Sequence, residues 1–130
     1  MNIDEIVQYW VDSAGNDLQA ADSNFASGHY DWSLFIGHLV IEKLLKAHWV
    51  KYNQELNPPR THNLTRLAEQ SKIELTAEQE IFLDIVTTFN ISARYPEHKK
   101  EFYKKATKEY SFENLEKIKE IYKWLKHLLT

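Results

Sequence analysis

One ten-residue stretch, ISARYPEHKK at residues 91–100, contains both an arginine and a histidine within reach of a helix end. A guanidinium stabilises the charge that develops on a phosphate, and an imidazole can take the proton of a ribose 2′-hydroxyl. Arg94 and His98 are therefore candidate catalytic residues for metal-independent RNA cleavage. The alternative is a purely structural role, because the helix dipole alone favours an arginine at a helix C-terminus.

Residues close to this pair in the sequence can bind a base or a phosphate. Tyr95 can stack on a base, and Lys99 and Lys100 can attract a phosphate backbone. We include all three with Arg94 in a candidate nucleotide-binding or phosphate-binding site. Surface lysines need no ligand, so an ordinary solvated surface stays open as the alternative.

A second candidate site follows the diproline in the segment PPRTHNL. His62 lies at the start of a predicted helix, where free backbone N–H groups favour an anion. Arg60 is close by in sequence, and the two side chains are candidate phosphate ligands. The alternative is that His62 only fixes the turn.

Glu42 lies in the otherwise apolar segment HLVIEKLLKA, and a buried carboxylate must be paired or neutralised. Lys46 follows by one helical turn, but its long side chain can reach solvent. A guanidinium can hold a carboxylate through two parallel hydrogen bonds. The sequence therefore predicts a structural polar pair between Glu42 and Arg94.

Metal and cofactor sites are not indicated. His38 and Glu42 share a helix face, but no further ligands follow at a metal-binding spacing, and the chain has no cysteine. We expect the two instead to form a hydrogen-bonded polar pair inside the bundle or at its rim. P-loop, dinucleotide-binding, zinc-protease and nucleophile-elbow motifs are all absent. We expect no metal and no cofactor.

The net charge of −3 is unevenly distributed. Residues 1–93 hold 6 Lys/Arg and 13 Asp/Glu, whereas residues 94–130 hold 10 and 6. A basic C-terminal third on an acidic body is consistent with a polyanionic ligand, a solvated face, or an acidic patch on a second copy.

Hydrophobic periodicity predicts long helices throughout the chain. Apolar residues recur every three or four positions from Ile3 to Phe25, and Gly28 ends this stripe. Asp31 is the expected N-cap of a second helix that is apolar around most of its circumference and should lie centrally. Gly37 inside that helix indicates a close approach to another helix.

Caps and breakers locate the remaining helices. Thr61 is the expected cap of a short helix, and Thr76 with Gln79 forms a capping box. Pro96 should end the next helix near Ala93 or Arg94. Residues 97–110 are expected to be loop or a short helix, and the last helix should begin at its cap, Ser111.

The expected fold is all-α, a single domain over residues 1–130. It is an antiparallel bundle of four long helices plus one or two short ones. Three Gly and three Pro argue against a turn-rich β protein. Four tryptophans are more than one small bundle readily hides, which indicates a dimer interface. No signal peptide or membrane span is visible, so we expect a cytoplasmic protein.

Four segments together resemble the HEPN family, the nucleotide-binding domain of higher eukaryotes and prokaryotes. They are AGNDLQAA, YDWSLFIGHLVIEKLLKA, PPRTHNLTRLA and NISARYP, and the resemblance covers nearly the whole chain. It implies a bundle of four or five helices, like that of nucleotidyltransferase substrate-binding domains, and usually a homodimer. It also implies a minimal nucleotidyltransferase as partner, in some cases within a toxin–antitoxin pair.

The family's nuclease motif is an arginine, four to six residues, then a histidine. Arg94 matches it, but His98 follows after three residues. The leading hypothesis is therefore a dimeric module that binds nucleotide or RNA phosphate with little or no catalysis. The alternatives are a metal-independent endoribonuclease that uses Arg94 and His98, and a non-catalytic interaction bundle.

Overall fold

Six α-helices form the protein, and the computed structural model describes all residues from Met1 to Thr130. The helices are α1 (Ile3–Ala26), α2 (Tyr30–Asn53), α3 (Leu64–Gln70), α4 (Ala77–Arg94), α5 (Pro96–Lys105) and α6 (Lys108–Leu128). There are no strands. The all-α bundle of four long and two short helices predicted from the sequence is confirmed.

Helix α2 lies at the centre and contacts each of the other five helices. Half of its residues are buried, as its uniformly apolar sequence predicts. Gly37 lets α6 approach closely, because a Cβ added there would lie 2.8 Å from Cδ1 of Ile118. The close helix contact predicted at Gly37 is therefore confirmed.

The expected end of α4 is also confirmed. Thr76 and Gln79 form the capping box, and the helix runs to Arg94. Pro96 then occupies the first turn of α5, where its missing N–H costs nothing. The Lys-rich segment that follows is thus a ten-residue helix rather than a loop.

Three predicted N-caps are wrong, each by two to four residues. The caps are His29 rather than Asp31, Asn63 rather than Thr61, and Thr107 rather than Ser111. Asp31 instead lies in the first turn of α2, where the helix dipole favours a carboxylate. Ser111 is buried inside α6, because packing on the core extends that helix by a further turn.

The core is one apolar cluster built from all six helices and the residues that flank them. Phe89 of α4, Phe102 of α5 and Tyr110 of α6 stack together in it, which fixes α5 against the bundle. None of the six helices combines the length and hydropathy that crossing a membrane requires.

Candidate functional site

Glu42 is buried on α2, and its carboxylate contacts two side chains, those of His62 and Lys46. Its Oε1 lies 2.7 Å from Nδ1 of His62, and its Oε2 accepts a 3.1 Å hydrogen bond from Nζ of Lys46. The predicted direct pair between Glu42 and Arg94 is not formed, because the imidazole of His62 lies between the two side chains. The ammonium group of Lys46 also lies 5.4 Å from the ring centre of Trp10.

His62 is held at both its side chain and its backbone. The Nδ1 atom contacts Glu42, while the carbonyl oxygen of His62 accepts a 2.9 Å hydrogen bond from Nε2 of His38. Asn63 then caps α3. His62, three residues after Pro59, is therefore held in position before the helix begins, although its side chain is 48% exposed.

Two hydrogen bonds tie the start of α3 to α4. The backbone N–H of Leu64 donates to Oγ1 of Thr87, and the hydroxyl of Thr65 donates to Asp84 over 2.7 Å. These contacts connect the segment that carries His62 to the helix that carries Arg94. His62 and Arg94 are therefore carried by two elements that are hydrogen-bonded to each other.

Arg94, the last residue of α4, completes the arrangement with Nη1 3.2 Å from Nε2 of His62. A guanidinium only donates, so Nε2 must accept and the proton of a neutral His62 must lie on Nδ1. That N–H then donates to the Glu42 carboxylate. A carboxylate, an imidazole and a guanidinium thus form a chain from the core to the surface.

His38 contacts the backbone of His62 and is itself completely buried. Burial lowers the pKa of the His38 imidazole, against the opposing effects of its backbone hydrogen bond and of Glu42. Its Nε2–H donates to the His62 carbonyl, whereas its Nδ1 has no partner and lies 3.9 Å from Oε1 of Glu42. His38 is therefore a neutral donor that positions His62.

An open cleft of about 440 Å³ lies at the start of α5. Pro96 borders it, so the cleft begins two residues beyond Arg94. The ammonium of Lys99 lies 5.3 Å from the ring centre of Trp32, which is partly exposed. The cleft thus combines basic and aromatic groups; its lining residues are Asp31, Pro96, Lys99, Lys100 and Tyr103.

The other predicted site residues lie on the surface. Tyr95 is exposed, and its carbonyl accepts the backbone N–H groups of His98 and Lys99. Neither the side chain of His98 nor that of Arg60 makes a hydrogen bond or ion pair. The structure thus joins Arg94 to His62, places Lys99 and Lys100 in the adjacent cleft, and leaves Arg60 and His98 unattached.

Lys46 and His38 were both noted beside Glu42 in the sequence, but neither was included among the predicted site residues. Lys46 follows Glu42 by four residues and His38 precedes it by four, so both spacings were visible. What the spacing could not show was that the same helix face is covered by His62. No group of three or more His, Cys, Asp or Glu side chains is arranged to hold a metal ion.

Comparisons with known proteins agree with this fold. A family model described as HEPN domain matches residues 7–128. The structure of TT1696 from Thermus thermophilus superposes with a TM-score of 0.78 at 17% identity, covering 98% of each chain. ST0689, an archaeal HEPN homologue, gives 0.66 at 20% identity over 95% of this chain and 98% of its own. No curated protein matches the sequence.

Proposed function

We propose, from the premise that this chain belongs to the HEPN family, that it binds the phosphate of a nucleotide or RNA at Arg94 and His62. The observation that carries this proposal is the series of contacts from Glu42 through His62 to Arg94. These contacts hold a guanidinium at the surface without neutralising its charge. The family resemblance further supports a minimal nucleotidyltransferase as the protein partner.

The charge balance of the site favours an anion. Glu42 is already neutralised by Lys46, so the positive charge of Arg94 has no carboxylate partner of its own. Only one of the five guanidinium N–H groups is occupied, by the neutral imidazole of His62. The remaining donors can take two phosphate oxygens in a bidentate contact.

The adjacent cleft supplies what a nucleotide needs beyond its phosphate. Lys99 and Lys100 lie at its edge, where they can hold further phosphate oxygens. Tyr103 and the partly exposed ring of Trp32 offer surfaces on which a base can stack. A ligand that spans both regions would place phosphate at Arg94 and a base near α5.

A second candidate function is metal-independent RNA cleavage at the same place. The observation that favours it is the orientation of His62, whose Nδ1–H is fixed by Glu42 and whose Nε2 is directed outward. If a substrate phosphate drew Arg94 away, that Nε2 would be free to take a 2′-hydroxyl proton. Two contacts, with Glu42 and with Arg94, orient the His62 side chain, whereas the side chain of His98 makes no hydrogen bond, and this difference favours His62 as the base.

Calorimetric titration of the protein with ATP, GTP and a short single-stranded RNA, without metal, tests both functions. We expect Arg94→Ala to weaken binding at least tenfold and Arg66→Ala, an exposed arginine on α3, to leave it unchanged. Absence of binding to all three ligands, or equal loss in both variants, would overturn the proposal.

The RNA recovered from each titration decides the second function. Cleavage that disappears in His62→Ala and persists in His98→Ala would identify His62 as the base. RNA that stays intact with the unaltered protein would remove the enzyme and leave the binding module. The reverse dependence, on His98, would support the pair named from the sequence motif.

A further inference from the structure

A groove of about 440 Å³ lies between the first half of α4 and helix α6, and we call it the α4–α6 groove. Both helices pack against α2, but their backbones scarcely approach each other, so a gap remains between them. Its volume is within the range of about 300–1,000 Å³ that small-molecule sites occupy. The groove is separate from the phosphate site, because Ile85, its lining residue nearest in sequence to Arg94, lies about 14 Å from Arg94 along the helix axis.

The floor of the groove is apolar and is held in place by the core. Ile121 belongs to the buried cluster, and Phe82 and Trp124 pack against that cluster. Ile81 and Ile85 line the groove from α4, and they are 63% and 40% exposed. A ligand with an apolar body would remove this surface from water, which is favourable in proportion to the area covered.

The charged residues of the groove favour a cation. Glu78 on α4 and Glu120 on α6 line it from its two sides, and neither carboxylate forms a hydrogen bond or an ion pair. Lys117 is the only basic residue that lines the groove, and the carboxylate of Glu113 lies 3.6 Å from its ammonium group. The negative charges of Glu78 and Glu120 are therefore free to attract a ligand.

Lys117 also shows that an ammonium group can lie against the aromatic floor. Its Nζ is 5.9 Å from the ring centre of Phe82. The face of an aromatic ring attracts cations, and tryptophan attracts them more strongly than phenylalanine. No cation of the chain lies over the ring of Trp124, and Glu120 precedes Trp124 by four residues, so the two share a face of α6. An indole ring and a carboxylate are thus placed together where a second ammonium group can bind.

We propose that the α4–α6 groove binds an organic cation, a quaternary or alkyl ammonium compound with an apolar body. The ammonium group lies beside Trp124 and the carboxylates of Glu78 and Glu120, and the apolar body covers Phe82 and Ile85. Both parts of the ligand are needed. A small hydrated cation would leave the apolar floor in water, and a neutral aryl compound would leave the carboxylates without a partner.

Nuclear magnetic resonance titration with benzyltrimethylammonium tests the proposal. The indole N–H signals of the four tryptophans report on binding, and that of Trp124 is identified by its absence from Trp124→Phe. We expect the Trp124 signal to move and then saturate, while the other three stay in place. Tetramethylammonium, which lacks the apolar body, and benzyl alcohol, which lacks the charge, should each bind about fivefold more weakly. Equally strong binding of benzyl alcohol, or a Trp124 signal that does not move, would overturn the proposal.

Matched variants test the two parts of the groove. Glu120→Gln should weaken binding by about fivefold, whereas Glu109→Gln, at an exposed position on the same helix outside the groove, should leave it unchanged. Ile85→Ser and Ile91→Ser are the corresponding pair on α4, and only the first should weaken binding. All four positions are exposed, so each variant should retain the fold, which thermal unfolding checks. Equal effects within both pairs would overturn the proposal.

Two controls distinguish the α4–α6 groove from other interactions of the protein. A Trp124 signal that moves with protein concentration alone would mean that another copy of the chain covers the groove, and would overturn the proposal. Arg94→Ala should bind benzyltrimethylammonium as the unaltered protein does, because the two sites are separate. Loss of ATP binding with retention of this cation would therefore overturn only the phosphate site, and the reverse result would overturn only the cation site.

Discussion

At the scale of single residues, the environment of Glu42 explains how the side chains of the candidate site are oriented. A carboxylate taken out of water is stable only if charges and donors replace its hydration. Lys46 supplies the charge and His62 supplies a donor, and each uses a different oxygen. The orientation of the His62 ring is therefore a consequence of burying the acid, and Arg94 then contacts the nitrogen that remains.

Two pairs with the same sequence spacing allow this effect to be measured. Glu42 and Lys46 have side chains only 6% and 12% exposed, whereas Glu113 and Lys117 are 67% and 54% exposed. Glu42→Ala should cost about 3 kcal/mol of unfolding free energy, since it leaves a nearly buried ammonium uncompensated. Glu113→Ala should cost less than about 0.5 kcal/mol.

Urea unfolding of both variants provides the comparison. Both substitutions remove a glutamate one turn before a lysine, but Glu42 is buried and also contacts His62, whereas Glu113 is exposed. Equal and small losses of stability would mean that Lys46 reaches solvent freely once Glu42 is gone. The account of a carboxylate that organises the site would then be wrong.

The sequence predicted that Glu42 needs a partner but selected the wrong one. Preference for Arg94 rested on the bidentate geometry of a guanidinium, which takes no account of what else lies nearby. His62 belongs to a segment 20 residues away in the chain, and its approach depends on the contacts of α3 with α4. The chemistry of the residues thus indicated that Glu42, His62 and Arg94 need polar partners, while tertiary packing determined which of them contact each other.

At the scale of helices, local pattern was a better guide to extent than to the first residue. The capping box at Thr76 and the stop before Pro96 depend only on neighbours in sequence, and both were predicted correctly. The start of α6 was not, because Ser111 is as good a cap as Thr107 by residue type. Core contacts of Tyr110 favoured the longer helix.

Contact between α2 and α6 provides a prediction at this scale. Gly37→Ala should gain about 1 kcal/mol of helix propensity, but its Cβ would overlap Cδ1 of Ile118, which is fully buried. Overpacking of this kind costs about 1–3 kcal/mol. Ile118→Val removes that methyl group, and alone should cost about 1 kcal/mol.

A double-mutant cycle measured by urea unfolding separates these contributions. The two substitutions together should be more stable than their separate effects predict, by about 1 kcal/mol or more. Gly15→Ala is the control, because its Cβ would meet only the hydroxyl of Tyr122, at 3.4 Å. Additive effects at Gly37 and Ile118 would show that α6 moves aside freely.

At the scale of the whole molecule, the fold was predictable because it depends on features spread over the chain. Periodic apolar residues, few breakers and a central apolar helix all favour one bundle. The candidate site depends instead on three side chains from α2, from the loop before α3 and from the end of α4. A small change in how those elements pack would separate them, so a single sequence cannot predict their contacts.

The unfolding free energy of the whole molecule should depend on pH because two histidines are buried. Burial lowers the pKa of His38 and of His48 below the ordinary value of 6.5, and each donates through Nε2 to a backbone carbonyl. In the unfolded chain both imidazoles gain protons as the pH falls through 6.5. The unfolded state then binds more protons than the folded state, so the unfolding free energy must fall with decreasing pH.

Thermal unfolding between pH 7.5 and 5.5 should therefore show a decreasing melting temperature, and His48→Gln should reduce the slope. Each histidine contributes at most about 1.4 kcal/mol per pH unit, and a glutamine at position 48 retains a donor for the Leu125 carbonyl but cannot titrate. His29→Gln, at an exposed position, should leave the slope unchanged. Equal slopes in all three proteins would mean that the buried imidazole of His48 takes up protons as readily as a free one, which its enclosure by α2 and α6 argues against.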